Sequence, residues 1–513
     1  MSEENVKEVE KSAESTKRGG GIDKPKRDAI LYGVLGISFI VTMIVRNFLP
    51  FGITFMALLI LNWIFDYLDK KKAPKKQKEP LEEQTRMEKK VAGIRQTQRK
   101  IGVIFGALII VGFLLMQFMD EGFYITVAFI LIGTVIAIIL TKKEQAAIEE
   151  GHILERKSTR IQYVDVFRGL VVIFLIISVL TWDLSGVVGD PNTPPVGPTY
   201  LNHGWKFWEL DGWPDMITII DIGQQILMFI VGFVGAIAFY KHEERDGKSK
   251  AILHLIRRFL ALMILSFLYD GGLIDGEMDL TQWNMFSTFW YGTFANLAWG
   301  TLISILLVSV LKQKPDKRFL IACIIFTAHA ILYSFDTLHT WELRVGADSW
   351  KIWEVPWNTI NHVAIAIMGT CTYDWSQQKT EDEPYKGWTK RILPIGSVMW
   401  AGVWLLNFLQ PAHHQTSNTT LSLMACATSM WILFLFNLMD KVKFKVPLLA
   451  DLGRNLLIMF IMSDLWNKMI DLVGKDAFRA SGLLSMLLVG IVPIVVQFML
   501  AWSLNKLRVT IKF

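Results

Sequence analysis

The segment YLNHGWKFWELDGWPDMITIID, Tyr200 to Asp221, sets one histidine, three tryptophans and four acidic residues between two strongly apolar stretches. His203 has the side chain suited to moving a proton near neutral pH, since imidazole titrates at about 6.5. Asp211 or Asp221 can orient that ring, as the carboxylate partner of a catalytic base does. The chemistry such a pair serves is proton transfer to or from a reacting hydroxyl or amine, where a well-placed base contributes on the order of 10²- to 10⁴-fold. The plain alternative is a solvated loop histidine. Asp221 stands a turn inside an apolar helix start, followed by Gln224 and Gln225. A carboxylate there is costly unless partnered, so a structural hydrogen bond and an orienting role are both open. Trp205, Trp208 and Trp213 fit an interfacial aromatic belt, and they also offer flat apolar faces, with carboxylates between them, to a glycan.

Other candidates are scattered along the chain. Asp165 and Arg168, in YVDVFRGL, are three residues apart and can pair on one helix face. His254, Arg257 and Arg258 sit at one end of an apolar span, where arginines anchor to headgroups or meet an anion. His329 and His362 fall inside spans; an ionisable side chain there is a functional candidate by default, and interhelical hydrogen bonding is the modest alternative. His413 and His414 are adjacent, and adjacent histidines rarely hold one zinc ion without further ligands, so no metal is expected. Cys323, Cys371 and Cys426 lie within spans at unrelated spacings and read as small buried hydrophobes.

The elements that must position these residues are membrane helices. Of 513 residues 52% are hydrophobic, and the mean hydropathy is +0.36. At about 20 apolar residues per crossing, the chain holds about fourteen spans, which makes it an all-α polytopic integral membrane protein. Lys and Arg crowd alternate loops: DKKKAPKKQK from Asp69, KHEERDGKSK from Lys241, KQKPDKR from Lys312 and DKVKFK from Asp440, with the tail NKLRVTIKF. MDEG from Met119 and YDGGLIDGEMD from Tyr269 fall in the intervening loops. Positive charge marks the inner side, so both termini are expected in the cytoplasm, in a cell membrane, with the Tyr200 to Asp221 loop outside. The basic tracts need no partner beyond anionic lipid, and nothing calls for nucleic acid.

Three regions follow from the charged linkers. Residues 1–27 are polar, without an apolar h-region, and read as a disordered cytoplasmic tail. Residues 28–145 hold four spans with a basic cytoplasmic loop, part of which, EPLEEQTRMEKKVAGIRQTQRK, reads as a surface helix. These spans carry almost no ionisable residue and form an accessory module, whose apolar faces suit a second copy or partner membrane subunits. Residues 146–513 hold the other ten spans, with polar residues inside them, and any chemistry is expected there.

YVDVFRGL at a helix start, the His- and Trp-bearing loop, then Thr218 and Asp221 as T-x-x-D and Phe229, Ile230 and Gly232 within MFIVG resemble the heparan-α-glucosaminide N-acetyltransferase family of transmembrane acyltransferases. IRRFLALMILSFL from Ile256, QPAHHQTSNTTLSL around Pro411 and LGRNLLIMF from Leu452 are similar to later family segments, and the likeness covers roughly residues 160 to 505. The resemblance implies transfer of an acyl group, typically acetyl, from acetyl-CoA or another acyl-CoA in the cytoplasm to a glycan or glycolipid outside. It implies His203 as the catalytic base, with Asp221 and Asp211 supporting it. Trp205, Trp208, Trp213, His413, His414 and Asn455 then face the acceptor, and Arg168, His254, Arg257, Arg258 and Asn296 the CoA. His329 and His362 are placed to line a passage for the acyl arm.

The chain also departs from the family pattern. The ungapped histidine position falls near Asp211, eight residues after His203; Val179 stands where Asn is common, Ala295 and Asn296 replace Gln and Arg, and Gln225 replaces a proline. Those departures leave two other classes open, an inactive acyltransferase-like subunit of a membrane complex and a secondary transporter.

Overall fold

A helix satisfies its own backbone groups, which is why the apolar runs of a membrane chain fold as helices. The computed structural model describes residues 84–118, 121–150, 161–174, 222–269, 289–290, 292–312, 314–334, 342–345, 348–351, 357–410, 412, 417–441, 446–462, 492 and 494–509; the expected tail 1–27 and the first two spans lie outside them. All of the described residues fall in one packed unit, 80–279 with 283–513. In chain order they form α1 (Gln84–Phe118), α2 (Glu121–Glu150), α3 (162–174), α4 (Gly223–Asp246), α5 (Lys248–Tyr269), α6 (Thr293–Val310) and α7 (Pro315–Ser334). A two-stranded ribbon of β1 (Glu342–Val345) and β2 (Asp348–Lys351) comes next, followed by α8 (Trp357–Ser376), α9 (Leu393–Asn407), α10 (Thr419–Lys441), α11 (Pro447–Arg454), α12 (Leu456–Ile461) and α13 (494–506). The ribbon is antiparallel, with Glu342 opposite Lys351 and Val345 opposite Asp348.

Five helices among the described residues are long and apolar enough to cross a membrane: α2 from Tyr124, α4, α6, α7, and α10 as far as Asp440. Leu131, Val135 and Ile139 on α2, with Leu320, Ile324 and Ile331 on α7, are exposed at helical spacing, an apolar outer surface of the kind lipid solvates.

At the centre lies α8, which touches α4, α6, α7 and α10. Ala364, Ile365, Ala366, Ile367 and Met368 are all fully buried, the pattern of a helix enclosed on every side. Helix α4 meets it at glycine: a Cβ on Gly232 would overlap the Ala366 carbonyl, and one on Gly369 the Phe229 carbonyl. Small residues let helix backbones touch, and close packing is a main attraction between helices in lipid. The same device joins α3 to α11, with Gly169 against the Leu449 carbonyl and Gly453 against that of Asp165.

One end of the bundle is basic and ion-paired. Lys312, beyond α6, meets Glu243 of α4 at 2.8 Å, and Lys248 Nζ donates to the Ser309 carbonyl at 3.0 Å. Fully buried Arg318 pairs with Asp374, which also accepts from Tyr240 Oη at 3.0 Å. Trp375 Nε1 donates to Asp316 at 3.1 Å. These contacts gather the ends of α4, α6 and α8 with the starts of α5 and α7.

The pair α1 and α2 is tied to α13. Thr134 and Ser503 hydroxyls lie 2.9 Å apart. Glu144 accepts from Arg95 at 2.6 Å, Gln98 at 2.9 Å and Arg508 at 2.5 Å, so its buried carboxylate is satisfied from three positions.

Three local features differ from the sequence-based expectation. The surface helix is not separate: α1 runs unbroken for 35 residues, through the charged stretch into the apolar one, because no proline divides them. The apolar run that holds LGRNLLIMF, expected to be one span, breaks at Asn455, whose φ of −118° and ψ of 31° leave the helix between α11 and α12. Asparagine favours such exits because its side chain competes for the backbone. Ahead of α9 a π-helical turn, Trp388–Ile392, seats Trp388 against Tyr163 at 6.4 Å and Phe434 at 5.9 Å.

Gly453→Val is expected to force α11 off α3 and cost roughly 1–3 kcal/mol, read as a lowered midpoint in thermal unfolding of detergent-purified protein. Asp374→Ala, which strands the Arg318 charge, should cost about 3–5 kcal/mol, whereas the double replacement Arg318→Met with Asp374→Leu should recover most of that loss. Equal destabilisation by the single and double variants would contradict a buried, mutually dependent pair.

Candidate functional site

Two polar centres occupy the bundle. The first is built on the contact between α3 and α11. Because both crossings are glycines, the helices approach until Asp165, Arg168 and Arg454 share one surface. The pairing read from the sequence is present: Arg168 Nη1 is 3.5 Å from Asp165 Oδ1. Arg454 adds contacts of 3.5 Å to Asp165 and 3.1 Å to Asp451. Asn505 of α13 closes the group, accepting from Arg454 at 2.7 Å and donating to Asp451 at 2.5 Å.

Arg258 stands in mid-α5, close enough to Arg168 for the two cations to interact. Its Nε is buried and makes no hydrogen bond among the described residues. Arg257 precedes it, also half-buried. The two carboxylates of this centre are thus already engaged, while Arg258 brings further positive charge into the bundle interior, a costly arrangement that an anion would offset.

His254 belongs to a different group. It is exposed and stacks on His242 with ring centroids 4.3 Å apart. His242 Nδ1 faces Asp246 at 3.4 Å. The possible ligand atoms of His242, Asp246 and His254 lie within 4.8 Å of one another. Arg245, however, reaches both Asp246 at 2.6 Å and His242 Nδ1 at 3.0 Å, so a guanidinium occupies the position a cation would take.

Asn296, at the start of α6, is buried, and its Oδ1 has no hydrogen bond among the described residues. Phe294 beside it packs on Phe460 of α12 at 5.3 Å, which brings this end of α6 to the helix that follows Asn455. Asn455 is itself buried at the break between α11 and α12. A helix interrupted inside a membrane bundle frees backbone groups for a ligand or a neighbouring chain segment.

The second centre lies at the end opposite the basic one, where α4, α8 and α10 begin and α7 finishes. Gln225, Asn361, His362, Ser417 and His329 meet there, all 3% exposed or less. Gln225 Nε2 donates to Ser417 Oγ at 2.7 Å. Asn361 Nδ2 donates to the Ser417 carbonyl at 2.5 Å and to Ser422 Oγ at 2.7 Å.

His362 Nδ1 is 2.9 Å from the Asn358 carbonyl. A carbonyl only accepts, so Nδ1 carries the proton, and Nε2 of the neutral ring is the acceptor. That Nε2 lies 3.5 Å from Ser417 Oγ. His329 follows the same logic: Thr419 Oγ1 donates to the Phe326 carbonyl at 3.2 Å and lies 3.1 Å from His329 Nδ1, so Nδ1 donates and Nε2 accepts. His329 Nε2, Gln225 Oε1 and Asn361 Oδ1 are three buried acceptors without a hydrogen bond among the described residues. Such atoms ask for a donor, such as a hydroxyl, an amine or water.

The sequence flagged His329 and His362 as mid-span residues. The structure moves both to helix ends, within two turns of Ser334 and Trp357, and brings them into electrostatic reach of one another. Ser417 and Asn361 were not singled out by their sequence. The only local signal was SNTT, which marks a helix start: Asn418 Oδ1 caps α10 by accepting from the Leu421 amide at 3.1 Å. His203, Trp205, Trp208, Asp211, Trp213, Asp221, His413 and His414 lie outside the described residues. Cys323, Cys371 and Cys426 are free thiols.

Asn361→Leu removes both donated bonds and should destabilise the protein by about 1–3 kcal/mol, measured by thermal unfolding; Ser422→Ala, which leaves the Ser417 carbonyl satisfied, should cost less. No protein-family model matches the chain, and neither does any curated protein sequence.

Proposed function

We propose that this membrane protein is an acyltransferase that moves an acetyl or other acyl group from cytoplasmic acyl-CoA to a sugar or glycan acceptor on the outer face. In this reading the chain has about fourteen spans at about 20 apolar residues each, cytoplasmic termini and a ten-span catalytic region. The observation that carries it is the approach of Arg258 to Arg168 within the helix bundle, with a second, histidine-bearing centre nearer the opposite end.

Chemistry divides the same way. The nucleotide end of a CoA thioester carries phosphates, which guanidinium groups bind through charge-assisted hydrogen bonds. The acceptor end needs a base and groups that hold hydroxyls. His203 supplies the base, with Asp221 and Asp211 supporting it, and Trp205, Trp208 and Trp213 the stacking surface. His413, His414 and Asn455 complete the acceptor side.

Helix rise sets the depth of the two centres. At about 1.5 Å per residue, Arg258 stands ~15 Å along α5 from Lys248, and His362 stands ~21 Å along α8 from Ser376. Both distances run from the basic end, so the centres differ by only a few ångströms in depth along the bundle.

Purified protein in liposomes, given labelled acetyl-CoA and a glycan acceptor, is expected to label the acceptor. Arg258→Met should raise KM for acyl-CoA about tenfold or more, the worth of a hydrogen bond to a charged group, with a smaller change in kcat. His203→Ala should lower transfer on the order of 10²- to 10⁴-fold. Absence of any transfer, with a stably co-purifying partner chain, would sink the enzyme reading in favour of a noncatalytic subunit.

A further inference from the structure

Ser417 combines three features that a merely helix-linking hydroxyl does not need. Its backbone is left-handed, with φ of 43°, a conformation that is strained for a non-glycine residue and that collects at functional sites. Asn361, from another helix, holds the Ser417 carbonyl at 2.5 Å and so enforces the turn. The Oγ already accepts a hydrogen bond from Gln225 Nε2 at 2.7 Å, which leaves its own proton to point elsewhere.

His362 Nε2 stands at 3.5 Å as the acceptor for it. The opposite ring nitrogen donates to the Asn358 carbonyl at 2.9 Å, which fixes the tautomer. Hydroxyl, imidazole and a carbonyl that orients the ring thus stand in the order nucleophile, base and orienting group, and such contacts are often loose before substrate binds. The first amides of α10 follow Ser417 directly, and the N–H groups of a helix start are suited to a developing oxyanion. Buried beside them, His329 Nε2 makes no hydrogen bond among the described residues, an independent mark of a ligand position.

We infer that Ser417 is an acyl-carrying nucleophile with His362 as its base, so that transfer passes through a serine ester. The inference rests on the acyl-transfer reading above. In the first half-reaction Ser417 Oγ attacks the thioester carbon; the carbon–oxygen bond forms, the carbon–sulfur bond breaks, and the serine proton passes by way of His362 Nε2 to the leaving thiolate, releasing CoA as the thiol. In the second the acceptor hydroxyl or amine attacks the ester carbon as the carbon–oxygen bond to Ser417 breaks, and the proton the acceptor loses to His203 returns by way of His362 Nε2 to the departing Ser417 Oγ, so that both rings end neutral. Nothing is oxidised or reduced. Gln225 and Asn361 are positioning residues.

The test uses full-length protein in detergent. Incubated with acyl-CoA alone and digested, the wild type should carry the acyl group on the peptide containing Ser417. Ser417→Gly relieves the left-handed strain, so it should fold, elute as a single species and take no label. His362→Gln should slow labelling on the order of 10²- to 10⁴-fold. His203→Ala should still be labelled, because that residue serves the acceptor. Transfer to acceptor that persists in Ser417→Gly would overturn the serine ester and leave the acyltransferase reading standing. Should the wild type transfer nothing from acyl-CoA, a fluorophosphonate probe decides separately. Labelling of Ser417 that His362→Gln abolishes supports the nucleophile with another ester or thioester as donor, and no labelling overturns it.

Discussion

The contact between α4 and α8 is the constraint on which the histidine-bearing centre and the ion-paired end of the bundle both depend. Lipid gives two apolar helices little reason to associate apart from close packing, and here the packing is as close as backbone allows, at Gly232 and Gly369. Gln225 lies two turns before Gly232, and His362 two turns before Gly369, so the parallel helices deliver both residues to the same height. In the other direction they deliver Tyr240 and Asp374 to a common hydrogen bond. A bulkier residue at either crossing would separate the histidine from the glutamine that shares its serine.

The two centres are satisfied to different degrees. Around Asp165 and Asp451 the carboxylates are met by Arg168, Arg454 and Asn505, and this group locks α3, α11 and α13 together. Around Ser417 every donor named is used, yet three acceptors have no hydrogen bond among the described residues. Low dielectric makes a completed polar network rigid and an incomplete one expensive. The paired carboxylates suit a frame, while Arg258 beside them, whose Nε makes no hydrogen bond among the described residues, and the acceptors around Ser417 suit places where a polar ligand supplies what is missing.

Much of the frame was legible in the chain. Apolar length marks the helices, and the spacing of Asp165 and Arg168 gives their ion pair. What escaped depends on partners remote in sequence. Nothing near Gly453 says that its neighbour is the carbonyl of Asp165, and the turn at Ser417 is held by Asn361, 56 residues earlier. The break at Asn455 lies inside an apolar run whose hydropathy reads as continuous. His329 and His362 were visible as costly residues in a span, but only their tautomers, set by Thr419 and Asn358, show that each turns an accepting nitrogen away from its anchoring bond.

Glu144 has a consequence for how the protein is made. Its carboxylate meets Arg95 and Gln98 on the preceding helix as soon as α1 and α2 pair, but Arg508 follows 364 residues later. During synthesis the early hairpin therefore enters the bilayer with one of its two compensating cations still unmade, and N-terminal elements ordinarily assemble first. The seam between these helices can close only once Arg508 has been made, which makes it the joint that quality-control proteases would find open in a chain stalled before that point.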